Sequence, residues 1–87
     1  MTLEEILKSS KEFKYQLLGR MQADCKYYLG YGGRQKSRLW ALDEGDQIAY
    51  MKAIWNSFAE DEKPEGLTWE QILDYEHTMI LNREVKA

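Results

Sequence analysis

The 87-residue chain contains few of the residues on which common catalytic and structural sites depend. Cys25 is the only cysteine, which excludes an internal disulfide and leaves a zinc site without its usual partners. His77 is the only histidine, so general acid–base chemistry has at most one imidazole to use. A lone cysteine fits a reducing compartment best, and we expect neither a metal nor another cofactor.

Long apolar runs are also missing from the sequence. No stretch approaches the ~18 apolar residues that a membrane-spanning helix requires. Glu4 and Glu5 stand where a signal peptide would carry basic residues. We therefore expect no signal peptide, no transmembrane helix and no membrane partner.

Apolar residues recur at helical spacing along most of the chain, and no strand-like alternation competes with this pattern. Thr2 opens a capping box that predicts a first helix of about two turns. Ser9 repeats the arrangement and predicts the longest helix, which ends near Gly30. Asp43 and Thr68 are the predicted N-caps of two further helices. The sequence thus predicts an all-α fold, a compact small helical bundle of three main helices plus a short N-terminal helix, in a single domain over residues 1–87.

The predicted core draws on many aromatic residues, namely three Trp, six Tyr and two Phe. A chain this short buries only about 60% of its unfolded surface, and each aromatic side chain covers about 150–250 Å². Gly19, inside the longest helix, is expected to allow close packing of a neighbour. The residues expected to be buried are Leu3, Ile6, Leu7, Phe13, Leu17, Leu18, Met21, Cys25, Tyr28, Leu29, Leu39, Trp40, Leu42, Ile48, Met51, Trp55, Phe58, Trp69, Ile72, Leu73, Met79 and Ile80.

The formal net charge of −3 conceals two halves of opposite sign. Residues 1–38 hold eight Lys/Arg against four Asp/Glu, a sum of +4, whereas residues 39–87 hold four against eleven, a sum of −7. Acidic residues on a convex surface can imitate a phosphate backbone and attract a basic groove of a partner protein. The candidate partner-binding residues are Glu60, Asp61, Glu62, Glu65, Glu70, Asp74 and Glu76. The alternative is an ordinary solvated face.

A glycine-rich basic loop over residues 30–38 offers a different surface. Its sequence G-Y-G-G-R-Q-K-S-R lacks the spacing of a phosphate-binding P-loop. Flexible backbone with basic side chains can nonetheless approach phosphates, and an aromatic ring can stack on a base. The candidate nucleic-acid-binding residues are Tyr31, Arg34, Lys36 and Arg38, joined by Lys11, Lys14 and Arg20. An ordinary helix connector remains the alternative for the loop.

Two candidate catalytic groups are weak. His77 shares a predicted helix face with Glu70 and Asp74, an arrangement that could hold a metal or shuttle a proton, but we expect an ordinary solvated acidic helix face. Cys25 falls within an apolar stripe, as expected of a buried structural thiol rather than a nucleophile. We therefore expect a protein that binds a partner and is not an enzyme.

Three blocks of the sequence resemble a known family. They are F-K-Y-Q-L-L-G-R-M-Q-A-D-C-K-Y-Y-L-G at 13–30, L-W-A-L-D-E at 39–44 and D-E-K-P-E-G-L-T-W-E-Q-I-L-D-Y-E at 61–76. Together they are similar to the eleventh type of large polyvalent protein-associated domain, over about residues 11–80. One departure is Gly66, where that family favours a bulky aromatic residue such as Trp.

The resemblance implies an origin in a phage or another mobile genetic element and a role in the cytoplasm of a bacterial host. It supplies no active-site residues. Together with the small size and acidity of the chain, it leads us to expect a host protein as partner, with inhibition of a CRISPR effector nuclease as the leading hypothesis. Nucleic-acid binding through the basic loop is the alternative.

Overall fold

The helices of the computed structural model follow the predicted order. The structure describes residues 2–30 and 35–81, with the backbone alone at Lys36 and Leu81. Its elements are the helices α1 Leu3–Leu7, α2 Lys11–Leu29, α3 Glu44–Asn56 and α4 Trp69–Glu76, two 3-10 turns at Lys36–Arg38 and Glu60–Glu62, and a π-helical turn His77–Leu81 that continues α4. No strand occurs in the described ranges, and the predicted all-α fold is confirmed.

Short side-chain hydrogen bonds fix the starts of three helices as predicted. The Thr2 hydroxyl accepts from the backbone N–H of Glu5 at 3.2 Å, and the Glu5 carboxylate accepts from the Thr2 N–H at 3.0 Å. Thr68 and Gln71 form the same reciprocal pair at the start of α4, with distances of 3.1 and 2.8 Å. Asp43 caps α3. These bonds satisfy N–H groups that have no partner inside the helix.

The predicted cap of α2 was wrong by one residue. Ser10, not Ser9, accepts from the backbone N–H of Phe13 at 3.1 Å. The Ser9 hydroxyl instead donates to the carbonyl of Glu5, four residues earlier, at 2.8 Å. The hydroxyl of Ser9 is therefore engaged at the end of α1, and the extended backbone of Ser10 begins α2.

The core forms around α3, which contacts α1, α2 and α4. Most of the predicted apolar face of α2 is buried, whereas Phe13 and Leu29 pack at its edge. The buried apolar residues are Ile6, Leu17, Leu18, Met21, Cys25, Tyr28, Leu39, Ile48, Met51, Ile54, Phe58, Leu67, Ile72 and Met79. Within residues 2–30 and 35–81, no helix combines the length and apolar character needed to cross a membrane.

Two predicted core residues face solvent instead. Leu42 is 64% exposed and adopts a positive φ of 61°, since it ends a tight turn in which its N–H donates to the carbonyl of Leu39 at 3.0 Å. Leu39 and the half-buried Trp40 anchor this turn without it. Leu73 follows Ile72 in α4. Because Ile72 points into the core, Leu73 lies on the outer side of the helix and is 39% exposed. The left-handed backbone at Leu42 costs roughly 1–2 kcal/mol.

Buried polar groups, which the sequence pattern did not reveal, connect that turn to the helices. The Gln47 side chain is fully buried, accepts from the N–H of Ala41 at 3.0 Å and donates to the carbonyl of Met21 at 3.2 Å. The Tyr28 hydroxyl donates to the buried carboxylate of Glu44 at 2.5 Å. These three bonds join α3 to α2 and to the segment before α3.

Candidate protein-binding surface

The segment between α3 and α4, residues 59–67, is called the acidic loop below. Its single lysine, Lys63, turns back onto the end of α3. The Lys63 ammonium donates to the carbonyls of Trp55 at 3.1 Å and Phe58 at 2.9 Å and lies 4.3 Å from the centre of the Trp55 ring. A cation at this position complements the partial negative charge of a helix C-terminus. The charge of Lys63 is therefore engaged by α3.

Side chains of α2 hold the acidic loop from the other side. Lys11 forms an ion pair with the Glu62 carboxylate at 2.6 Å, and the Tyr15 hydroxyl donates to the Glu62 carbonyl. The Gln22 amide donates to the carbonyl of Gly66 at 3.3 Å. From α3, the Trp55 indole N–H donates to the carbonyl of Leu67 at 2.9 Å. The acidic loop is thus tied to two helices along its length.

Three carboxylates of the acidic loop remain exposed and have no ion-pair partner among the described residues. They are Glu60, Asp61 and Glu65. Glu62, the fourth predicted partner-binding residue here, is half-exposed and paired with Lys11. The contact raises the pKa of Lys11, chiefly through its hydrogen bond to Glu62. The backbone of the acidic loop is held in place, and the loop therefore exposes three unpaired carboxylates to solvent.

The acidic residues of α4 divide into two groups. Glu70 and Asp74 are exposed and, four residues apart, share a helix face. Glu76 is half-buried and pairs with Lys52 at 2.9 Å. His77 is exposed at the start of the π-helical turn. No group of three His, Cys, Asp or Glu within residues 2–30 and 35–81 is placed to hold a metal ion.

The basic loop is described only in part. Tyr31 and Arg34 lie outside the described residues, and nothing is described of the Lys36 side chain. Arg38 is exposed, and its guanidinium carbon lies 5.6 Å from the ring centre of Tyr27. Tyr27, at the end of α2, is 44% exposed and was not among the predicted site residues.

The other predicted basic residues have surroundings that differ from those of Arg38. Lys11 pairs with the acidic loop, and the Lys14 ammonium donates to the Ser57 hydroxyl at 3.2 Å. The Lys14 ammonium is also 4.9 Å from the Phe58 ring centre. Arg20 is exposed on α2. Two of the predicted cations thus engage the region after α3 instead of extending the basic loop.

Cys25 is a buried thiol, as expected. Its sulfur lies 3.7 Å from the sulfur of Met51. Burial raises the pKa of Cys25 to about 12, although a hydrogen bond with Gln47 acts in the opposite direction. The nucleophilic thiolate is therefore absent near neutral pH.

A groove that the sequence did not predict separates α2 from the acidic loop. It encloses about 410 Å³ and is lined by Tyr15, Leu18, Gly19 and Gln22 of α2 and by residues 61–67. The expectation that Gly19 allows close packing is wrong, because a Cβ atom added there would meet no heavy atom within 4 Å. The space beside this glycine is the open groove.

The fold and surface define a small all-α module with an exposed, fixed acidic loop. The family model described as large polyvalent protein-associated domain 11 matches residues 11–79. The chain belongs to this family, and the resemblance seen in the three sequence blocks is confirmed. No curated protein and no solved structure matches the chain significantly.

Proposed function

We propose that this chain is an accessory module of a mobile genetic element that binds a host protein through its acidic loop. The leading target is a basic surface of a host defence component, with a CRISPR effector nuclease tested first. The observation that carries the proposal is the exposure of Glu60, Asp61 and Glu65 without ion-pair partners on a loop held by α2 and α3.

Two physical effects favour this use of the acidic loop. A segment that is already ordered loses little conformational freedom on binding, so more of the interaction free energy appears as affinity. Unpaired surface charge of one sign accelerates association with a surface of the opposite sign and suppresses contact with like-charged proteins. Nucleases carry basic grooves for their nucleic acids, and a cluster of carboxylates matches such a groove.

Capture of a partner tests the proposal. The tagged chain is used to retain proteins from a bacterial lysate that contains CRISPR effector complexes, with a parallel nuclease-treated sample and identification by mass spectrometry. We expect an effector subunit to be retained after nuclease treatment. A variant with Glu60→Gln, Asp61→Asn and Glu65→Gln should lose it.

A matched control neutralises three exposed carboxylates elsewhere, through Glu4→Gln, Glu12→Gln and Asp46→Asn. Circular dichroism establishes that both variants keep their helices. The proposal requires the control to retain the effector subunit. Equal retention by the acidic-loop variant, or no effector subunit in any sample, contradicts it.

Nucleic-acid binding is the second candidate function, favoured by the position of the Arg38 guanidinium over the ring of the 44% exposed Tyr27. Stacking platforms flanked by cations are typical of single-strand binding. Fluorescence anisotropy with labelled single-stranded DNA measures it. This candidate predicts affinity that falls steeply with salt and is lost in an Arg34→Ala, Lys36→Ala, Arg38→Ala variant, and undetectable binding at low salt contradicts it.

A further inference from the structure

The groove between α2 and the acidic loop has two glycines on its opposite sides. Gly19 belongs to α2, and Gly66 belongs to the acidic loop. A Cβ atom added at either residue would meet no heavy atom within 4 Å. Neither glycine has the positive φ that side chains avoid. The protein therefore leaves free space at two positions where its backbone accepts larger residues.

The walls of the groove are held by specific contacts. The ring of Tyr15 stacks on Phe58 with centres 4.5 Å apart and planes 6° from parallel. The Tyr15 hydroxyl donates to the Glu62 carbonyl, and the Gln22 amide donates to the Gly66 carbonyl at 3.3 Å. These two hydrogen bonds join α2 to the acidic loop and hold the two walls of the groove at a fixed separation.

The groove lining carries a net negative charge. Its charged residues are three carboxylates, Asp61, Glu62 and Glu65, and one ammonium, Lys63, which sum to −2. The Lys63 ammonium is engaged by carbonyls at the end of α3, and Glu62 is paired with Lys11. Asp61 and Glu65 are left without a described cation.

We propose that this groove binds an arginine side chain presented by the partner protein. The inference rests on the proposed function and specifies its contact. The apolar stem of arginine lies against Tyr15 beside the open Gly19, and the guanidinium pairs with the carboxylates of Asp61 and Glu65. Arginine suits the groove better than lysine does, because its five N–H donors in one plane match several acceptors at once.

Substitutions at Gly19 and Gly66 test the proposal most directly. Gly19→Leu and Gly66→Trp each fill the groove from a different wall, so a folding defect in one leaves the other available. Ala23→Leu adds an apolar side chain at an exposed position of α2 outside the groove lining and serves as the matched control. Circular dichroism verifies that each variant is folded.

The probe is a terminally blocked peptide with one arginine flanked by two glycines on each side. It is titrated into the isotope-labelled 87-residue chain and followed by NMR of the backbone amides. We expect saturable shifts concentrated at Gly19, Gly66 and Glu65. A peptide carrying neutral citrulline instead of arginine should bind at least about tenfold more weakly, because it lacks the charge-assisted hydrogen bonds.

Both groove-filling variants should abolish the shifts, and Ala23→Leu should leave them unchanged. The proposal is overturned if the arginine peptide causes no localised shift, if citrulline binds equally well, or if the filled groove still binds. Its failure differs from failure of the proposed function. If the Gly19→Leu variant retains the effector subunit as well as the parent does, only the groove proposal is overturned. If the arginine peptide binds but no effector subunit is retained, only the proposed function is overturned.

Discussion

Gln47 illustrates how one buried polar residue determines the path of the chain. Its amide joins the N–H of Ala41 to the carbonyl of Met21, so the turn before α3 is held against α2. A buried N–H without an acceptor costs roughly 1–3 kcal/mol, which is a large share of the stability of a small domain. The pattern of apolar residues gave no sign of this role, because Gln47 follows Glu44 and Asp46 and reads as one more polar residue at the start of α3.

Replacement of this side chain tests that account. Gln47→Leu is expected to lower the free energy of unfolding by about 1–3 kcal/mol, because the Ala41 N–H loses its acceptor inside the protein. Denaturant unfolding followed by circular dichroism measures the change. Gln16→Leu, at an exposed position of α2, is the control and should remain within about 0.5 kcal/mol of the parent. Equal effects of the two substitutions would contradict the role of Gln47.

Cys25 makes a prediction about reactivity and pH. Its pKa is raised from the ordinary 9.0 to about 12 by burial, so the native thiol should react with a chromogenic disulfide only through unfolded molecules. Between pH 9 and 12 the unfolded chain ionises at this residue while the folded chain stays protonated. Stability from this group is therefore complete below pH 9 and falls as the pH rises towards 12. Fast, complete reaction of the native protein near neutral pH would contradict the buried site.

At the scale of elements, local signals in the sequence were the dependable ones. The boxes at Thr2 and Thr68 and the cap at Asp43 were predicted correctly because each depends on residues within one turn. The start of α2 was missed by one residue because Ser9 and Ser10 compete, and the Ser9 hydroxyl donates to the Glu5 carbonyl at the end of α1, which leaves the cap to Ser10. Adjacent candidates of equal propensity leave such a choice to the surrounding structure.

The capping box of α4 can be tested directly. Thr68→Ala should lower the free energy of unfolding by about 1 kcal/mol, because the Gln71 N–H loses its acceptor. Thermal unfolding measures the loss. Thr68→Ser keeps the hydroxyl and should preserve most of the stability, so an equal loss with serine would exclude the cap as the cause.

Gly19 permits a prediction in the opposite direction. Gly19→Ala should raise the free energy of unfolding by up to about 1 kcal/mol, because alanine favours the helix and its Cβ enters open space. Chemical denaturation of the variant and the parent measures the gain. A destabilised variant would show that the groove wall does not tolerate even a methyl group.

At the scale of the whole molecule, contacts between distant residues decide which charges remain free. Lys11 and Glu62 are 51 positions apart and form an ion pair, and Lys52 pairs with Glu76 in the same way. The sequence predicted both acidic residues as members of one surface, but charge counts along a sequence do not reveal ion pairs between residues that are far apart in it. The groove beside Gly19 was equally invisible, because it exists only where α2 and the acidic loop come together.

Within residues 2–30 and 35–81, these pairings leave the acidic loop with exposed carboxylates that have no ion-pair partner. Glu60, Asp61 and Glu65 stay exposed while neighbouring charges are paired or turned towards α3. The outward-facing Leu42 and Leu73 show a further limit of sequence reasoning, since helical spacing predicts a buried side chain but not the edge at which burial stops. The proposed function depends on the acidic loop and not on the total charge.

The most direct test of this claim is phage plaquing on a CRISPR-immune bacterial host that expresses the chain. We predict that the parent protein restores plaquing towards the level of a host without the effector. The variant with Glu60→Gln, Asp61→Asn and Glu65→Gln should fail, and the control with Glu4→Gln, Glu12→Gln and Asp46→Asn should succeed at equal expression. No restoration by the parent protein across the effector types tested, or full restoration by the acidic-loop variant, would contradict the account.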